Sequence, residues 1–130
     1  MSPKVKDVST RLIKPTINII PVMDLINYIQ NWDDSWEHDG SIGVYDEGIA
    51  QYLLTDISSH LKFYGSLFLD KPSLKCRLVS ENEAPQDILE EEHENHITFI
   101  YDNNHNQQTQ EKVTEKIKIV LKKRGFRFTN

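Results

Sequence analysis

The chain has a single cysteine, no long apolar run and no secretory signal. One cysteine, Cys76, excludes an intrachain disulfide and fits a reducing compartment. The N-terminus lacks the apolar core of a signal peptide, and no apolar run approaches the roughly 20 residues that cross a bilayer. These absences predict a cytoplasmic protein without a membrane partner.

The short signatures of well-known enzyme classes are also missing. The sequence contains no GxSxG motif, no P-loop and no dinucleotide-binding glycine pattern. Ser58 and Ser59 lie beside His60 in a helical pattern, where adjacent side chains point apart, so they do not predict a nucleophile. Cys76 occupies an inward-facing strand position, which predicts a small buried side chain. The sequence therefore favours a non-enzymatic protein without a cofactor and leaves an enzyme open.

Positive charge is absent from two stretches that are rich in acids. No Lys or Arg occurs between Lys14 and Lys62, a segment with eight carboxylates, and none occurs among the seven acids of residues 81–94. The net charge of −5 argues against general binding of phosphate backbones. Segregated charge of one sign makes a field that selects a partner of the opposite sign.

Periodicity along the 130 residues predicts one α+β domain. Helical spacing is predicted for four segments, which are 21–32, 46–61, 85–92 and 109–124. Strands are predicted for five segments, which are 16–20, 41–45, 63–69, 74–79 and 97–101. A turn at residues 70–73 predicts that the third and fourth of these strands form a hairpin.

This order predicts a mostly antiparallel sheet of about four strands with three to four helices packed on it. Residues 1–14 are predicted to be a flexible basic arm or a short edge strand, and residues 15–130 the single domain. Gly125 is predicted to end the last helix, after Lys122, Lys123 and Arg124 at its negative pole.

The first candidate site is an acidic loop with two tryptophans. Tryptophan amid charge is typical of protein interfaces, so we predict that the loop pairs with Lys and Arg of a basic partner. The predicted partner-binding residues are Asp33, Asp34, Trp36, Glu37 and Asp39, with a second cluster at Glu90, Glu91 and Glu92. The alternative is a solvated loop with Trp32 packed under the first helix.

Two weaker patterns are related to metal binding. His93 and His96 are three residues apart among carboxylates, a spacing that suits two ligands on one helical turn and makes a metal-dependent hydrolase a weaker alternative. Residues 35–46 resemble the calcium loop of EF-hand proteins around Gly40. Ser35 and Asp46 stand where that family needs Asp and Glu, so no metal is assigned there.

The third candidate site is the basic segment 116–128. Its cations would contact phosphate, with Phe126 or Phe128 stacking on a base. The alternative interpretation is a helix whose terminal cations complement its dipole while its apolar stripe lies in the core. Phe126 and Phe128 would then fold back on the core or form a short terminal strand.

The leading hypothesis is a small acidic protein that neutralises a basic protein partner. Its basis is the fifteen acids of the two blocks, which contain no Lys or Arg. In general character the chain resembles the immunity proteins that inhibit bacterial nuclease toxins, and this resemblance implies occupation of a toxin's basic substrate groove. The alternative is a nucleic-acid-binding regulatory protein that uses the basic C-terminal helix.

Overall fold

A computed structural model describes residues 4–32, 42–48, 51–85 and 95–129 of the chain. The described strands are β1 (Lys4–Ser9), β2 (Ile13–Lys14), β3 (Ile19–Pro21), β4 (Ile42–Asp46), β5 (Tyr52–Leu54), β6 (Ser73–Leu78), β7 (His96–Ile100) and β8 (Arg127–Phe128). The described helices are α1 (Val22–Gln30), α2 (Ile57–Phe68) and α3 (Gln107–Lys123), with 3₁₀ turns at Thr10–Leu12 and Glu81–Glu83.

The described strands form two sheets. The first has the order β1-β6-β4-β5-β2 and is mixed, because β1/β6 and β4/β5 are antiparallel whereas β4/β6 and β2/β5 are parallel. The second has the order β3-β7-β8 and is parallel. The chain passes from the first sheet to the second through the short segment between β2 and β3. The fold is thus α+β, as predicted, but its main sheet has five strands and is not mostly antiparallel.

Helix α2 lies at the centre of the fold. Eight of its residues are buried, including the polar Ser59, His60 and Ser66. It contacts α1, α3 and β4. Gly65 permits the close approach of α1, because a Cβ there would lie 3.3 Å from Cγ1 of Ile29. An edge-to-face aromatic contact at 6.2 Å between Tyr64 and Phe99 joins α2 to the second sheet.

The buried ring of His60 joins this central helix to the segment between the two sheets. Its Nε2 accepts the backbone N–H groups of Thr16 and Ile17 at 2.8 and 2.9 Å. Its Nδ1 lies 2.6 Å from the carbonyl oxygen of Asp56, so the proton is on Nδ1 and the ring is neutral. Burial lowers the pKa of His60 to about 4, against the opposing effect of Asp56. His60 is therefore a structural bridge with both nitrogens satisfied.

The predicted strand at 63–69 and its hairpin are wrong, because residues 63–68 belong to α2 and Leu69 is its C-cap. A helix buried on nearly every side has no polar face, so Phe63, Gly65 and Leu67 imitate the alternation of a strand. The helix predicted from residue 46 begins only at Ile57, where Asp56 caps it by accepting the N–H of Ser59 at 2.7 Å. Before it, Tyr52–Leu54 is the buried strand β5.

Several other predictions are confirmed. Helix α1 buries Val22, Leu25 and Ile26, and α3 buries Val113, Ile117 and Leu121, at the predicted helical spacing. Helix α3 begins at Gln107, two residues before the predicted start, and its cap is Asn106, which accepts the N–H of Thr109 at 3.2 Å. Strands β6 and β7 match the predicted segments at 74–79 and 97–101. The acidic helix predicted at 85–92 lies outside the described residues, except for its first residue.

Residues 4–14, within the predicted arm, contribute the edge strands β1 and β2 to the first sheet. None of the helices in the described ranges combines the length and the apolar character needed to cross a bilayer.

Acid should destabilise the fold through His60. The unfolded ring has its ordinary pKa of 6.5 and the folded ring about 4, so the unfolded chain binds more protons between these values. The contribution of His60 to the free energy of unfolding is therefore complete above pH 6.5, and it falls by about 3 kcal/mol as the pH decreases to 4. We expect urea titrations to show this fall. His60→Gln keeps an acceptor but does not titrate, so its fall should be shallower, and equal falls would contradict the assignment.

The hydroxyl of Tyr64 should contribute nothing to stability. It is fully buried and, within the described residues, has no hydrogen-bond partner, and burial raises its pKa. We expect Tyr64→Phe to leave the thermal midpoint unchanged or raise it. The matched control is Tyr52→Phe, which should lower the midpoint because the Tyr52 hydroxyl accepts a bond from Lys6 Nζ at 2.6 Å. A lower midpoint for Tyr64→Phe would reveal a partner for this hydroxyl.

Candidate functional site

The predicted acidic interface lies outside the described residues. This applies to Asp33, Asp34, Trp36, Glu37 and Asp39 and to Glu90, Glu91 and Glu92. Trp32, at the start of the loop, packs against the core beside Gly65, as the alternative interpretation had it. Other acids have local roles, since Asp56 caps α2 and Asp46 accepts the N–H of Gly48 at 2.8 Å. The binding of a basic partner stays a prediction.

The predicted metal pair is only half described, because His93 lies outside the described residues. His96 begins β7, and its Nε2 lies 2.6 Å from Oγ1 of Thr129. In the described ranges, no three His, Cys, Asp or Glu side chains are grouped closely enough to hold a metal ion. The described residues therefore give a metal-dependent hydrolase no support.

The side chains of Ser58, Ser59 and Cys76 serve the fold. Ser58 donates to Asp56 at 3.0 Å, whereas Ser59 accepts the backbone N–H of Gly43 at 2.9 Å. The two hydroxyls thus point to different elements, as the helical pattern predicted. Cys76 is fully buried, and this burial, with a smaller effect of Asp7, raises the pKa of its thiol to about 12. Such a thiol is not an activated nucleophile.

A cavity of about 680 Å³ lies where the C-terminal end of α3 meets the 3₁₀ turn and β2, and we call it the basic cleft. Four of its lining residues are cationic, namely Arg11, Lys14, Lys123 and Arg124. The others are apolar or neutral, namely Thr10, Leu12, Ile13, Gln51, Phe63, Asn95, Leu121 and Phe126. In the described part of the chain, no carboxylate lines this cleft. Its volume is in the range of ligand sites.

One wall of the basic cleft is the 3₁₀ turn that follows β1. The hydroxyl of Ser9 caps this turn by accepting the N–H of Arg11 at 3.3 Å. Thr10 is buried, and its N–H donates to the carbonyl of Pro72 at 3.1 Å. These bonds hold the backbone beside Arg11, whose side chain is exposed. The cation is thus carried by an anchored turn.

The opposite wall is the end of α3, where Arg124 reaches across the cleft. Its Nη2 donates to Oγ1 of Thr10 at 3.2 Å. Partial burial lowers the pKa of Arg124, and the charge of the nearby Arg11 lowers it further. Within the described residues, Arg11, Lys123 and Arg124 form no salt bridge. Two guanidinium groups thus repel each other here without a described carboxylate between them.

A backbone motif at Gly125 places Phe126 in the cleft. Gly125 has φ of +92°, and its N–H donates to the carbonyl of Lys122 at 3.1 Å. The N–H of Phe126 donates to the carbonyl of Leu121 at 3.1 Å, which completes the pairing that ends many helices. The prediction that Gly125 ends α3 is confirmed. Phe126 and Leu121, which such a motif commonly brings into apolar contact, both line the cleft.

The two terminal phenylalanines have different surroundings. Phe128 lies in β8 and stacks on Phe99 at 5.8 Å with an angle of 12° between the rings. The Nζ of Lys118 lies 5.6 Å from the centroid of the Phe128 ring. Phe126 is the one of the pair that lines the cleft, where it is half-buried.

Sequence reasoning identified only one side of this site. Lys123, Arg124 and Phe126 belong to the predicted basic segment, and the structure brings them together. Arg11 and Lys14 lie in the segment 1–14, for which the sequence predicts a flexible basic arm or a short edge strand. Their only signal was the absence of acids from residues 8–14, which does not reveal a contact with a helix end more than a hundred positions away.

Replacing Gly125 should disturb both stability and the cleft. Gly125→Ala forces a side chain into positive φ, which should cost about 1 kcal/mol in urea titrations. Gly48→Ala is the matched control, because Gly48 also has positive φ, at +89°, and neither residue has a heavy atom within 4 Å of an added Cβ. We expect only Gly125→Ala to shift the backbone NMR resonances of Arg11 and Phe126. Shifts there with Gly48→Ala would contradict this assignment.

Comparison with known proteins identifies no family. No protein-family description and no curated protein matches the chain. Among solved structures, the chain is similar to "SbnI with C-terminal truncation from Staphylococcus aureus", with 17% sequence identity and a TM-score of 0.44. The similarity covers 60% of this chain and 31% of that one, so the match spans about a third of its length. Similarity at this level supports no statement about fold or function.

Proposed function

We propose that the protein binds nucleic acid through the basic cleft, with phosphate groups held by the cations of its two walls. The observation that carries this proposal is the meeting of Arg11 and Lys14 with Lys123 and Arg124 around one concave surface. Paired guanidinium groups form the forked donors that suit phosphate oxygens. An anion placed between Arg11 and Arg124 would relieve the repulsion between them.

The dipole of α3 explains only part of this charge. Cations at a helix C-terminus complement its partial negative charge, which accounts for Lys122 and Lys123. It does not account for Arg11, which comes from the 3₁₀ turn. Arg124 donates to Thr10 across the cleft. Recruitment of cations from separate elements favours an external anion as their common partner.

The negative net charge defines what kind of binding to expect. With a net charge of −5, most of the molecular surface repels a polyanion, so attraction is confined to the cleft. Only a few phosphates can be neutralised there. Affinity should therefore be modest at physiological salt and should fall as salt rises, with a slope set by those few contacts.

Mutating either arginine of the cleft should weaken this binding. We expect Arg11→Gln and Arg124→Gln each to lower the affinity for fluorescein-labelled oligonucleotides about tenfold at low salt, because each removes a phosphate contact. Each should also make the plot of log K against log salt shallower by about 0.7 for a single strand. Fluorescence anisotropy over a salt series gives both values.

The matched control is Arg77→Gln, which removes the same charge from β6. Arg77 pairs with Glu83 at 3.9 Å and does not line the cleft. We expect it to bind like the wild type. If neither single-stranded nor duplex oligonucleotide binds at low salt, or if all three variants lose affinity equally, the proposed function is wrong.

A further inference from the structure

The basic cleft has a second, smaller hollow beside it. This hollow measures about 300 Å³ and is lined by Ser9, Thr10, Arg11, Leu67, Asp70, Lys71, Pro72, Val120 and Arg124. Thr10, Arg11 and Arg124 line both hollows, so the place where the two walls of the cleft meet, at the bond from Arg124 to Thr10, forms a ridge between the hollows. Asp70 is the one acid among the described residues that line either hollow, and it pairs with Lys116 at 2.9 Å. The ridge therefore carries the guanidinium pair between two depressions.

The two hollows differ in chemistry. The residues that line the larger one include the aromatic Phe63 and Phe126 and the amides Gln51 and Asn95. A phosphate group gains no binding energy from aromatic side chains, whereas a flat base can stack on an aromatic ring and form hydrogen bonds with amide groups at its edge. The smaller hollow is lined by the hydroxyl group of Ser9 and by Arg11 and Arg124, which suit a sugar–phosphate backbone.

We infer that the ligand is single-stranded nucleic acid, whose backbone crosses the Arg11–Arg124 ridge while one base enters the larger hollow and stacks on Phe126. This inference rests on the proposed function and adds the substrate class. A duplex keeps its bases paired and stacked inside, so a base can enter a concave hollow only at the cost of unpairing. A single strand presents its bases without that cost.

Four probes of one sequence test the inference on the full chain. They are a fluorescein-labelled single-stranded DNA 12-mer, the matching RNA, the DNA duplex, and the DNA strand with abasic sites in place of its bases. By anisotropy at fixed low salt we expect the single strands to bind at least about fivefold tighter than the duplex and the abasic strand. Tighter binding of either DNA or RNA supports the inference and identifies its source.

Variants of Phe126 separate stacking from charge. Phe126→Leu should lower the affinity for the single strand at least about fivefold and leave that for the abasic strand unchanged, whereas Phe126→Tyr should bind like the wild type. Circular dichroism checks that each variant is folded. If Phe126→Leu unfolds, Phe126→Tyr still tests the inference, because the fluorescence of its new tyrosine ring should be quenched when a base stacks on it.

The outcomes are distinguishable from those of the proposed function. Duplex or abasic strand binding as tightly as the single strand would overturn this inference while leaving phosphate binding at the cleft intact. Equal loss of both strands with Phe126→Leu in a folded protein would do the same. Absence of any oligonucleotide binding at low salt would overturn the proposed function together with this inference.

Discussion

The arrangement of the two sheets depends on one neutral ring in the middle of the fold. His60 accepts two backbone N–H groups from the segment that leaves the first sheet and donates to the first turn of its own helix. Thr16 adds a bond from its hydroxyl to the carbonyl of Leu54 at 2.7 Å. Without the ring, two buried N–H groups would lose their acceptor, a costly state in a low-dielectric interior. Because β2 directly precedes this joint, the same ring helps to position one wall of the basic cleft.

The fold brings cations from distant parts of the sequence to one cleft. The described cations of the 3₁₀ turn and of the end of α3 meet at one cleft, although the chain as a whole is acidic. Three local features hold the backbone around this cleft. The hydroxyl of Ser9 caps the 3₁₀ turn, Thr10 is buried, and Gly125 with its positive φ ends α3. An anchored backbone does not have to be ordered on binding, which lowers the entropic cost of holding a ligand at this cleft.

The periodicity of apolar residues predicts those helices and strands that have one polar and one buried face, and it fails for elements that lack a polar face. The stripes of α1 and α3 and the alternation of β6 are read directly because water contacts one side of each. The central helix α2 has no such side, so its residues imitated a strand. The parallel pairings of β4 with β6 and β3 with β7 join distant segments, which periodicity cannot indicate. Half of the cleft was found for the same reason, since Lys123 and Arg124 stand in an obvious basic run whereas Arg11 acquires meaning only through tertiary contact.

The bond from Arg124 to Thr10 closes a loop of 114 positions. Because the two residues are so far apart in the sequence, this contact forms only when the strands and helices between them have folded. The basic cleft therefore belongs to the completed fold, and a partly folded chain lacks the paired guanidinium groups.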